Sequence, residues 1–198
     1  MWLIKKFWVL FVDLVETLVV SLALFVLIYL FLFQPHQVEG RSMEPSFQNG
    51  EYILTDKISY RLRDPQRGDV VVFHSPQDER VDFIKRIIAT PGDTIMVSDN
   101  KVYLNGEPMD EPYTLDGATP QDTFLRDGAA TTVPSNNYVV MGDNRLHSSD
   151  SRKWGFITRQ HIVGRAFFRY WPLGSFGVVA TGEAEVSVGA VQGILDTQ

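Results

Sequence analysis

Hydrophobic positions divide the chain into two regimes. From Thr17 to Phe33 they run almost unbroken, as TLVVSLALFVLIYLFLF, without a single charge. As a helix this run is roughly 26 Å long at about 1.5 Å per residue, close to the thickness of a bilayer core. The preceding segment, Trp2 to Glu16, is also largely apolar. Its Asp13 and Glu16 fall three apart, on one helix face, and are expected at headgroup level. A buried core helix would keep a polar face, and this run has none. A cleavable leader would have a shorter apolar core and a small-x-small site, whereas this run ends in Phe31-Leu32-Phe33-Gln34-Pro35. The pattern predicts a single transmembrane helix within residues 1–34. Lys5 and Lys6 precede the span and only Arg41 follows closely, so the positive-inside rule predicts a cytoplasmic N-terminus and a translocated domain.

Beyond Pro35 the helical period gives way to short β-branched and aromatic runs separated by turn residues. Predicted strands are Glu51–Leu54, Asp69–Phe73, Asp82–Ala89, Thr94–Ser98, Lys101–Leu104, Asn137–Met141 and Gly164–Tyr170. Asn105-Gly106 after KVYL is a hairpin-turn signal. Pro91-Gly92-Asp93 and Gly142-Asp143-Asn144 mark further sharp turns. Many short strands at this spacing predict a mainly β, antiparallel domain over residues 35–175 and not alternating βα units. Residues 99–136, richer in Asp, Pro, Thr and Gly, read as a small inserted subdomain. Residues 176–198 read as a final strand or tail.

Composition narrows the function. With 21% charged and 44% hydrophobic residues among 198, the chain has the make-up of a folded protein with a real core. A net charge of -6 and the lack of any dense basic cluster argue against nucleic acid as a partner. Cysteine is absent, which removes thiol catalysis, disulfides and Cys-based zinc sites. There is no HExxH helix, phosphate-binding glycine loop or Gly-x-Ser-x-Gly elbow, and the four histidines show no metal-ligand spacing. No metal or cofactor is expected. His147 adjoins Ser148, but neighbours in a strand point to opposite faces, so adjacency does not make a Ser-His pair.

A serine needs a base to become a good nucleophile, and a lysine desolvated in an apolar site can supply one. Phe83-Ile84-Lys85-Arg86-Ile87-Ile88 offers such a lysine. In a strand, Phe83, Lys85 and Ile87 share one face, leaving Arg86 on the other to pair with a carboxylate. Periodicity alone leaves two readings open, since Lys85 could instead guard a strand edge. Ser42, in Gly40-Arg41-Ser42-Met43-Glu44-Pro45-Ser46, could equally just cap a turn.

The residues also carry a resemblance. GRSMEPS, then DPQRGDVVVF, FIKRIIATPGD and MGDNRLHSSDSRKWG, resemble the four ordered boxes of type I signal peptidases, from about Val38 to Gly155. The resemblance implies an antiparallel β catalytic domain behind a membrane anchor. It also implies a Ser-Lys serine endopeptidase that removes signal peptides from preproteins through an acyl-enzyme, after small residues such as Ala-x-Ala. Matched position by position, Ser42 is the nucleophile and Lys85 the general base, with Ser148 the hydroxyl that orients it. Asp143 and Asp150 match supporting carboxylates, with Arg145 and Arg152 as ion-pairing neighbours. The Ser42 backbone N–H is one oxyanion donor. Gly40 stands where some members carry a serine that supplies the second. Val38, Met43, Phe83 and Ile84 match pocket-lining positions. Ser46-Phe47 and Leu146-His147 depart from the commoner Thr-Leu and Asp-Asn.

The implied partners are preproteins, the lipid bilayer and the protein-export translocon. The implied location is a plasma membrane, with a thylakoid-type membrane as the other option. Ser42 lies only nine residues beyond Phe33, at most about 30 Å, where an exported substrate would emerge. Two other functions compete. A self-cleaving Ser-Lys repressor protease would need a DNA-binding segment where this chain has an apolar helix. A catalytically silent, membrane-tethered β scaffold would have no need of both Ser42 and Lys85.

Overall fold

The computed structural model describes residues 2–114, 119–120 and 122–179. Helix α1 spans Trp2–Phe31, longer at its start than the uncharged run alone implies. The apolar segment upstream of Thr17 simply continues the helix. Its Ile4–Tyr29 stretch is long and apolar enough to cross a membrane, and none of it packs against the rest of the protein. The helix stops before the predicted end of the span. Pro35 has no N–H to give and pushes Gln34 out of helical geometry, so Phe33–Gln37 becomes strand β1. That proline is tolerated because β1 is the edge strand of its sheet.

The remaining elements are β2 (Tyr52–Asp56), α2 (Ser59–Leu62), β3 (Val70–His74), β4 (Asp82–Ala89), β5 (Thr94–Ser98), β6 (Lys101–Leu104), β7 (Glu107–Pro108), β8 (Thr131–Thr132), β9 (Asn137–Met141), α3 (Ser151–Trp154), β10 (Ile157–Thr158), β11 (Ile162–Trp171) and β12 (Gly177–Val178). The larger sheet has the order β1-β2-β11-β3-β4-β9-β10, with β12 added to β11, and every pairing is antiparallel. The smaller sheet, β7-β6-β5-β8, is built from the segment between β4 and β9. It begins at Thr94, before the boundary predicted at residue 99. Of the segment read as a C-terminal strand or tail, residues 180–198 lie outside the described residues.

Local chemistry sets the turns. Asn105 and Gly106 both take positive φ, 53° and 91°, as the two-residue hairpin between β6 and β7 requires. Asp99 and Asn100 do the same between β5 and β6. The core falls into three clusters. Met43, Phe47, Val70 and Val72 anchor one, Val71, Phe73, Ile87 and Val140 a second, and Ile88, Ile95, Leu104 and Leu125 join the two sheets. Strand β3 thus feeds alternate residues to two different cores, as the two-residue period dictates.

One contact in the sheet is unusually close. A Cβ added to Gly164 on β11 would lie 2.3 Å from the Asp56 carbonyl oxygen and 2.8 Å from Thr55 Cγ2 on β2. Gly164→Ala is therefore expected to destabilise the β domain by about 1–3 kcal/mol. The readout is an earlier thermal unfolding of the detergent-solubilised protein, and an unchanged melting temperature would contradict this packing.

Candidate active site

Ser42 lies in the irregular turn between β1 and β2, and Lys85 in the middle of β4, opposite Val71 of β3. Although 43 residues separate them in sequence, Lys85 Nζ is 2.8 Å from Ser42 Oγ. The same nitrogen is 2.9 Å from the Ile84 carbonyl oxygen. Lys85 is only 4% exposed, and its amine lies 5.5 Å from the Phe83 ring centroid. Desolvation lowers its pKa to about 8. The charges of Asp150 and Asp143 oppose that shift, and Arg152 adds to it.

Arg86 projects from the opposite face of β4 and forms a two-pronged ion pair with Asp143, at 2.9 and 2.7 Å. Its remaining nitrogen, Nη1, donates to the Gly68 carbonyl, Nη2 also reaches Ser46 Oγ, and the guanidinium stacks 4.1 Å from the Tyr113 ring centroid. Asp150 caps the start of α3 and holds Arg152 through Nε and a terminal nitrogen, each at 2.8 Å. Burial raises the Asp150 pKa, but Arg152 and the Gly142 N–H outweigh it and keep the carboxyl below its ordinary range. The Ser148 hydroxyl lies close enough to Asp150 to add to that depression, yet falls short of hydrogen-bond geometry.

Arg145 does not pair with either aspartate. Its guanidinium takes Glu111, with Nη1 to Oε2 at 3.0 Å, while its Nε donates to the Gly142 carbonyl. The expected aspartate pairing fails because Asp143 is already saturated by Arg86 and Asp150 by Arg152. Arg145 instead ties the segment after β7 to the site. Nothing around Glu111 marks it in the sequence, since its partner lies 34 residues away.

Ser148 is brought close to the centre without engaging it. Its Oγ is buried and makes no hydrogen bond, so the Ile84 carbonyl, not Ser148, holds the Lys85 amine in this geometry. A Cβ added to Gly142 would lie 2.4 Å from both Ser148 Oγ and the Ser42 carbonyl oxygen. That same carbonyl accepts the Asn144 N–H at 3.0 Å. Gly142 is therefore required for close approach and not for a left-handed turn. Gly40 adopts φ +87°, and open space surrounds the place where a side chain would begin.

A cleft of about 480 Å³ runs from Ser42 and Lys85 along β4 and the residues of and after β1. Val38, Phe83 and Ile84 line it, as expected, and Val72 and Ile53 form its floor. Met43 does not line it, because its side chain is buried beside Phe47 in the core. His147 sits at the rim with Nδ1 3.1 Å from Asn144 Oδ1.

A serine hydroxyl against a desolvated lysine, in an open apolar cleft, is the equipment of a serine peptidase that needs no histidine. Residues 11–171 match the family described as signal peptidase, peptidase S26. The chain belongs to this signal peptidase family. It is 40% identical over 178 residues to a probable signal peptidase I-2 from Synechocystis sp., covering 87% of this chain and 78% of that protein. Signal peptidase I of Bacillus caldolyticus is 41% identical over 155 residues, covering 74% and 84% of the two chains. A crystal structure of signal peptidase I from Enterococcus faecalis is 31% identical, covers 52% of this chain and 97% of its own, and superposes with a TM-score of 0.44.

Gly142→Ala must displace either the Ser42 carbonyl or Ser148. It is expected to slow peptide cleavage at least about a hundredfold, as small misplacements of reacting groups do. Circular dichroism should retain the β signal. Wild-type turnover by this variant would contradict the close approach.

Proposed function

We propose that Ser42 is the nucleophile and Lys85 the general base of a membrane-tethered Ser-Lys peptidase. As a member of its family the chain is a serine endopeptidase acting in signal-peptide removal. The observation that carries the finer reading is the 2.8 Å separation of Lys85 Nζ and Ser42 Oγ, in surroundings that favour the neutral amine. A neutral amine has one lone pair and two protons. It accepts the Ser42 proton while donating to the Ile84 carbonyl, which fixes the lone pair on the hydroxyl.

Ser42 attacks the scissile carbonyl of a bound preprotein and an acyl-enzyme forms as the protonated lysine releases its proton to the leaving amine. Lys85, neutral again, then draws a proton from water for deacylation. The Ser42 N–H is one oxyanion donor, and each such donor is worth about 3 kcal/mol. Ser148, buried and unpartnered behind the Ser42–Gly142 contact, is the hydroxyl available to the extra proton of the lysine ammonium. Asp143 and Asp150, with their arginines, hold the Gly142–Arg152 segment on which these atoms sit.

Val38, Phe83 and Ile84 form the walls for an extended peptide, with Met43 packing behind them. An extended peptide along these walls presents alternate side chains to the apolar part of the cleft, and small ones such as alanine before the cut are the substrates this reading assigns. Helix α1 holds this cleft at a bilayer surface, where an exported preprotein emerges beside the translocon, with the N-terminus cytoplasmic. Ser42 follows the last helical residue, Phe31, by eleven positions, so the tether is short.

Ser42→Ala and Lys85→Arg are each expected to abolish cleavage of a labelled preprotein while leaving the fold intact, since guanidinium does not give up its proton near neutrality. Normal turnover by either removes that residue from the mechanism. Because the base acts uncharged, kcat should rise about tenfold per pH unit at acid pH and level off above about 8. A flat profile from pH ~6 to ~9 would exclude a lysine base of this kind.

A further inference from the structure

The far end of the cleft is polar, and two strands that are not neighbours meet there. His36 of β1 and Asp82 of β4 both line the cleft, and their side chains touch, with Nε2 3.3 Å from Oδ2. Three strands lie between β1 and β4 in the sheet order, so only the curl of the sheet makes this contact. His74, at the end of β3, holds the other oxygen of Asp82 from Nδ1 at 2.7 Å. The other His36 nitrogen, Nδ1, is 2.9 Å from Thr55 Oγ1 on β2. The Asp82 side chain stays 30% exposed. None of these groups is used in the chemistry described above.

We propose that His36, Asp82 and His74 form a subsite that reads the charge of a substrate side chain upstream of the cut. The inference rests on Ser42 and Lys85 as the reacting pair. Asp82 lies three strand positions before Lys85, which is about 10 Å at roughly 3.3 Å per residue. An extended peptide along β4 therefore places beside Asp82 the residue about three positions from the one whose carbonyl meets Ser42. The side of the cut follows from the anchor. Strand β1 starts at Phe33, just past α1, so the His36 end of the cleft is the end nearer the helix along the chain. A signal peptide's apolar segment precedes its cleavage site and lies in the same membrane, so upstream residues enter from that end.

With neutral histidines the subsite carries the single negative charge of Asp82, and favours a cationic side chain over an anionic one. Protonation of His36 cancels that charge and the preference weakens. Burial lowers the His36 pKa from its ordinary value, although Asp82 raises it and Lys57 adds to the lowering. The other charged groups on the cleft are Glu39, Arg41, Arg80 and Lys85. Arg41 is paired with Glu44 and Arg80 with Asp78, which leaves Asp82 and Glu39 as the acidic groups on the cleft, with Asp82 the one held by the histidines.

The test uses the full-length enzyme in detergent and three fluorogenic peptides. They share alanines at the two small positions and differ only in Lys, Gln or Glu at the residue three positions before the alanine whose carbonyl is cut. At about pH 8.5 the Lys peptide is expected to exceed the Glu peptide at least about fivefold in kcat/KM, through KM and not kcat. Asp82→Asn should bring that ratio within about twofold. In the wild type alone the ratio should fall as pH drops from about 8.5 to below the ordinary histidine range, where His36, its pKa lowered by burial, takes up a proton, while the lysine-base dependence cancels between peptides. A wild-type ratio near one, a ratio that survives Asp82→Asn, or a ratio independent of pH overturns the subsite. Loss of cleavage of all three peptides in Ser42→Ala, with no charge preference in the wild type, would sink the subsite and leave the Ser-Lys reading standing.

Discussion

Keeping an amine easy to deprotonate next to two aspartates is the constraint on which this site depends. Asp143 and Asp150 both act on Lys85 through space and, unpaired, would hold it protonated. Each is matched by its own arginine, Asp143 by Arg86 and Asp150 by Arg152. Because each carboxylate is neutralised within its own pair, the field at Lys85 is small and desolvation decides the outcome. The alternation of β4 makes this possible. Lys85 and Arg86 are adjacent in sequence but face opposite ways, so the cation that neutralises Asp143 does not sit beside the amine that must stay neutral.

Four separated pieces of chain must converge for this to work. The turn carrying Ser42, the middle of β4, the Gly142–Asn144 turn after β9 and the start of α3 meet through backbone contacts as much as side chains. Asn144 donates to the Ser42 carbonyl, Gly142 donates to Asp150, and Arg152 reaches the carbonyls of Arg145 and Ser148. A glycine at 142 lets the first of these strands of chain lie against the other. Arg145 adds a link outward, to Glu111 in the segment between β7 and β8 of the smaller sheet, so the excursion between β4 and β9 also braces the site.

Much of this was legible in the sequence. Strands β2 to β6 and β9 follow short apolar runs bounded by turn residues, and Lys85 stands with Arg86 as a cation pair in an apolar run whose alternation sends the two to opposite faces. The less legible parts share one cause, that they depend on partners distant along the chain. β1 carries Pro35 and three polar residues in five, so its pattern looks like linker until β2 is there to pair with it. The two-residue strand β10 is too short to show any period. Glu111 and the Ile84 carbonyl have no local signature, the first because its partner is remote, the second because every residue has a carbonyl. Ser148 differs, since its motif position suggests a hydrogen bond to the lysine, and the backbone leaves its hydroxyl buried near Asp150 and short of hydrogen-bond geometry.

Neutral Lys85 also sets a tension between folding and reaction. Its pKa falls from an ordinary 10.5 to about 8, so between those values the unfolded chain binds more protons than the folded one. Its contribution to stability therefore improves as pH rises through that window. Below about pH 8 the folded protein carries the full cost, about 3 kcal/mol for a shift of this size. That is a sizeable share of what holds a typical domain together. The well-packed core around β3 and the two saturated arginine–aspartate pairs are the features here that offset it. The rate benefits from the same burial, since at neutral pH about a tenth of such an amine is already free to accept a proton, against well under a hundredth for an exposed lysine. A site that bought stability by solvating or ion-pairing Lys85 would lose its base, so the strain is built into the chemistry and is not an accident of packing.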